Sequence, residues 1–176
     1  MGFMAQISNS WTETNIFFTL LKIQGQEFGF NVALLIQISP FFEKILENND
    51  SSEKDNCIDL DDTTPETLDV FKKLMVQEVI KKEDVNFEDL FRFSKKFDFQ
   101  RFFDLCSDQF GSSLNKKSLL YTIKLANELR DDNLLRKAAI FWDGKRNKFK
   151  KNVKLKEYLK HNQDCASQML QFIMFK

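Results

Sequence analysis

Histidine occurs once in this 176-residue chain, proline twice, cysteine three times and glycine five times. Each scarcity removes a class of chemistry. His161 lies beside Lys160 in a polar stretch with no serine or cysteine nucleophile in a recognisable motif around it, so a solvated side chain fits it better than a general base. Cys57, Cys106 and Cys165 are odd in number and widely spaced, without the close pairs that a tetrahedral zinc site uses. No signal-peptide pattern precedes them, so reduced thiols in cytoplasm or nucleus are expected. Gly25 and Gly29 stand between candidate strands rather than ahead of a helix, which excludes a phosphate-cradling loop. No apolar run approaches the ~18 residues of a membrane helix, and Gln6 stands where a myristoylation signal wants Ser or Thr. A soluble, unanchored protein with no catalytic residue, no cofactor and no metal site is expected; it is not read as an enzyme.

Net charge is also lacking. Twenty-six basic and twenty-six acidic side chains cancel, so the whole-molecule field that draws a protein to nucleic acid or an anionic membrane is missing. Charge is instead segregated: residues 43–69 hold ten acids against two bases, whereas residues 145–156 hold seven bases and no acid. The basic run resembles a nuclear-import or phosphate-binding patch, but Phe149 is its one aromatic, and a solvated helix flank fits better than a nucleic-acid groove. The acidic pair Asp61-Asp62 precedes a helix, where capping and dipole compensation explain it more simply than metal ligation.

Phenylalanine is abundant: twenty against two tyrosines and two tryptophans, so most of the aromatic surface has no polar handle and belongs in a core or a protein interface. Phe3, Met4, Ile7 and Trp11 share one face of a short predicted helix, and residues 15–23 read as a strand. Gln24-Gly25-Gln26 reverses the chain into a second strand at residues 27–30. Asn31 caps a helix carrying Val32, Leu34, Leu35 and Ile36, and Ser39-Pro40 opens another directly behind it. Residues 48–56 form a polar loop. Residues 57–60 alternate as a strand, Thr64-Pro65-Glu66 launches a helix bearing Leu68, Phe71, Leu74 and Met75, and Val79-Ile80 offers a last short strand. The rest is predicted helical: 87–97, 99–110 stopping near Gly111, a helix opened by Asn115, one over 134–142 opened by Asp131 or Asp132, then 153–159 and 165–175. The class is α+β, one domain or one domain with a helical extension.

This order, with Gly25-Gln26-Glu27-Phe28 and Ser39-Pro40-Phe41-Phe42 as its strongest pieces, then Ile58-Asp59-Leu60-Asp61-Asp62 and Thr64-Pro65-Glu66, resembles a BTB/POZ domain. From Cys106 into Leu134, Ala138 and Phe141 the chain is similar to the helical extension that follows the BTB fold in MATH–BTB cullin-3 ubiquitin-ligase adaptors. The resemblance covers roughly residues 3 to 142 and implies a BTB/POZ domain over 1–112, a small sheet flanked by short helices. It further implies an all-helical extension of 3-box or BACK type over 113–176, with a basic tail.

The resemblance also implies surfaces. Phe3, Met4, Ile7, Trp11 and Leu34 match the family's dimer contact, although Trp11 and Leu34 equally suit the monomer's own core. Phe42, Leu46, Asp50, Ser52, Phe103 and Phe110 match the side that meets cullin-3; core and interface fit Phe103 equally. The central expectation is that phenylalanine faces stay uncovered until a second polypeptide meets them. Cullin-binding members commonly place a hydrophobic residue two before a glutamate in the acidic loop, and this chain reads Asn48-Asn49-Asp50-Ser51-Ser52-Glu53 there. Losing such an anchor typically costs ~2 kcal/mol, about thirtyfold in affinity. Phe18 and Val32 replace two charges often used in the family's dimer pocket. The implied function is a dimeric adaptor or scaffold for a cullin-3 ligase with an unknown substrate protein. Two others stay open: an oligomerisation partner, homodimeric or mixed with other BTB proteins and without a ligase role, and a binder of nucleic acid or anionic lipid through residues 145–156.

Overall fold

The computed structural model describes residues 18–48, 57–60, 63–78, 80–149 and 152–175. The predicted helix over 3–11, residues 15–17 of the first strand, most of the polar loop and the pair Asp61-Asp62 lie outside them. The chain divides into two compact units at Val85 and Asn86.

In the first unit β1 (Phe18–Ile23) pairs antiparallel with β2 (Gln26–Asn31) and parallel with β3 (Cys57–Asp59), giving the order β2-β1-β3. The hairpin closes through two residues, Gln24 and Gly25, both at positive φ, 50° and 82°. That backbone twist matches the strands it joins, and glycine adopts it without steric cost. Along β1, Thr19, Leu21 and Ile23 are buried while Leu20 and Lys22 face outward, the period of two of a half-buried strand. Register pairs Phe18 with Asn31, one residue before Val32, so both apolar replacements noted above sit at one end of the hairpin.

Asn31 then caps α1 (Val32–Ile38), its Oδ1 accepting from the Leu34 amide at 3.1 Å. Ser39 caps α2 (Pro40–Asn48), its Oγ accepting from the Phe42 amide at 3.1 Å, with Pro40 at the first helical position where no amide partner is lost. Thr64 and Pro65 repeat the device at α3 (Pro65–Met75). Leu68, Phe71 and Met75 of α3 join Leu21, Phe30, Leu35, Phe42 and Leu60 in the core, with Phe30 and Phe71 in ring contact at 5.8 Å. After α3 the backbone turns through Gln77 at φ 58° into a 3-10 turn at Lys82–Asp84, so Ile80 belongs to no strand; Val79 lies outside the described residues.

The second unit is helical: α4 (Phe87–Lys96), α5 (Gln100–Ser112), α6 (Leu119–Leu129), α7 (Asp132–Gly144), α8 (Arg146–Phe149), α9 (Val153–His161) and α10 (Gln163–Met174). α5 ends at Ser112, next to Gly111, as expected. An added Cβ at Gly111 would meet the Lys137 stem of α7, with Cδ at 2.6 Å. One expected boundary shifts. Asn115 accepts from the Lys117 and Ser118 amides in a separate turn, so α6 starts only at Leu119. Arg130, left-handed at φ 52°, and Asp131, whose Oδ1 accepts from Asn133 and Leu134, reverse the chain between α6 and α7 within two residues. α7 packs against α5, α6, α8 and α10, and its fully buried Ala138 and Ala139 let neighbouring helices approach closely.

Candidate functional site

The residues assigned to a partner fall in both units, and each unit is described in turn. In the first, Leu34 and Leu46 are half-buried on α1 and α2. Phe42 is 0% exposed, with its ring set edge-on to half-buried Phe41 at 5.3 Å. Phe3, Met4, Ile7, Trp11, Asp50 and Ser52 lie outside the described residues.

In the second unit Phe91 stacks between Phe103, at 4.6 Å, and Phe110, at 5.7 Å. Phe103 is 8% exposed and Lys95 Nζ lies 5.1 Å over its ring, so Phe103 belongs to the interior. Phe110 is half-buried and also meets Tyr121. Over residues 28–175 the expectation of uncovered phenylalanine faces is corrected: among these phenylalanines only Phe175 is exposed. The aromatic abundance fills cores, since a ring without a polar handle gains most by complete burial. Sequence alone could not separate these roles, because a core ring and an interface ring share the same helical spacing.

Beside this cluster the Arg92 guanidinium bonds Glu88, at 3.0 Å, and Glu128, while the Tyr121 hydroxyl donates to Glu88; the group fastens α4 to α6. Arg92 holds the Glu128 carboxyl below the usual range. The pair thus stabilises the fold above the ordinary glutamate pKa of about 4.3, and its contribution fades as pH falls through the depressed value. With these side chains 40% and 55% exposed it is small, ~0.5 kcal/mol.

Among the described residues reactive groups do not converge. Asn127, Lys160, His161 and residues 162–165 line a polar cavity of about 450 Å³. His161 Nδ1 is 2.7 Å from the Glu157 carbonyl, which takes its hydrogen and holds the ring on its own helix. Burial raises the Cys165 thiol and pushes Cys106 up to about 12, the opposite of what a nucleophile needs. Native alkylation should therefore modify half-buried Cys57 first, with Cys106 slower than a free thiol by on the order of a thousandfold. Mass spectrometry of iodoacetamide-treated protein checks this, and early labelling of Cys106 would contradict its placement. Among the described residues no group of three potential metal ligands is present, and no helix is long and apolar enough to cross a membrane.

A family model described as BTB/POZ domain matches residues 9–114. Among solved structures, the chain resembles the BTB domain of zebrafish PATZ1 at 16% identity and a TM-score of 0.44, over 54% of this chain and 75% of that one. The family match runs across the division at Val85 and ends in the turn after α5.

Proposed function

Because the chain belongs to the BTB/POZ domain family, matching its model over residues 9–114, we propose that it is a self-associating adaptor that brings a substrate protein to a cullin-3 ubiquitin ligase in cytoplasm or nucleus. BTB/POZ domains are interaction modules that dimerise and bind other proteins. The family match is the observation that carries the reading, since the described phenylalanine rings do not. Leu34 with Phe3, Met4, Ile7 and Trp11 are assigned to the dimer. Half-buried Leu46 and Phe110, with Asp50 and Ser52, are assigned to cullin-3, as are Phe42 and Phe103, each buried within its own unit.

The absent hydrophobic residue before Glu53 favours a second reading, a BTB scaffold or mixed-dimer partner with no ligase role. A pull-down with the cullin-3 N-terminal region separates the two. The adaptor reading expects capture at tens of micromolar, weakened by the lost anchor. No capture at that concentration rejects it and leaves the scaffold.

A further inference from the structure

Trp142, Phe149, Leu155 and Leu159, from α7, α8 and α9, line a mainly apolar cavity of about 330 Å³ that Arg146 and Lys156 also border. Phe149 and Leu155 are 3% and 2% exposed and form its buried wall, whereas Trp142 and Leu159 are half-buried and leave it open. Arg146 is engaged by Asp143 at 2.8 Å. Lys148, Lys154 and Lys156 are exposed, and no ion pair among the described residues engages them. An apolar hole of this size inside a basic field holds one or two hydrophobic side chains and repels cations around them.

We propose that this pocket docks an acidic segment of a separate protein through one inserted apolar side chain. Charge complementarity selects an acidic occupant, and the apolar lining selects its anchor. This chain's own acidic stretch does not fit: residues 48–56 contain no apolar side chain, and the nearby Leu60 and Leu68 are 4% and 0% exposed in the first unit's core. A nucleic-acid strand does not fit either. Phe149 is buried against Phe141 at 6.3 Å and the Arg146 guanidinium lies over one face of the Trp142 ring at 6.0 Å, so the pocket lacks the run of open rings on which successive bases stack. The proposal deepens the adaptor reading by naming the kind of segment recruited. It is measured on this chain without cullin-3, so either can fail alone.

The probe is a fluorescein-labelled peptide of aspartates and glutamates around one central leucine, followed by anisotropy with the full chain. Replacing that leucine by serine is expected to weaken binding about tenfold. Lys156→Glu is expected to weaken it about tenfold as well, while Lys116→Glu, an equal charge change at an exposed site outside the pocket, stays within about twofold. Circular dichroism confirms that both variants fold. Equal binding of the serine peptide, equal loss in both variants, or tighter binding of an oligothymidylate of the same charge would overturn the proposal.

Discussion

Phe91→Ala is expected to lower the unfolding free energy of the second unit by about 3–5 kcal/mol, the cost of emptying a large aromatic site that cannot fully collapse. The ring is 0% exposed on α4 and lies between Phe103 and Phe110, both on α5, so its removal strips contact from two further aromatic side chains at once. In a unit of this size the melting temperature should fall by roughly 15–25 °C. Phe175→Ala, at an 81% exposed position, should stay within about 0.5 kcal/mol. Urea titrations followed by circular dichroism compare the two. Similar small losses would mean that the α4–α5 aromatic stack is not what holds this unit together.

Ile7→Asp combined with Leu34→Asp is expected to halve the mass in solution. Leu34 stands half-buried on α1, while its neighbour Leu35, at 0% exposure, is the side chain that secures α1 to the core. A charge at Leu34 therefore leaves the main core contact of that helix intact. Across a dimer contact the same carboxylate would be desolvated without a partner, at a cost of several kcal/mol per site. A folded double variant of unchanged mass would remove Ile7 and Leu34 from any interface.

Local backbone chemistry was the most legible part of the fold. Asn31, Ser39, Thr64 and Asp131 cap the helices they were expected to open, because a short polar side chain ahead of an apolar period has few other uses. The Gln24-Gly25 reversal was legible for the same reason. Gly111 was legible as a helix end, since α5 stops at the next residue. Ile80 misled because a β-branched residue has strand propensity whether or not a strand pairs with it, and among the described residues none pairs with Ile80. The burial of Phe42 and Phe103 is decided by long-range packing that residue spacing does not encode. The pocket walled by Trp142, Phe149, Leu155 and Leu159 was invisible for the same cause, since three helices must meet to make it.

The interaction reading consequently rests on family membership and on surfaces near Leu34, Leu46 and Phe110, not on bare aromatic rings. Light scattering of the intact chain over a range of concentrations, alone and with the cullin-3 N-terminal region, tests it most directly. Assembly through the BTB/POZ domain predicts twice the mass of a single chain, increasing again when the cullin fragment is added. A single-chain mass at every concentration, unmoved by cullin-3, would contradict the account.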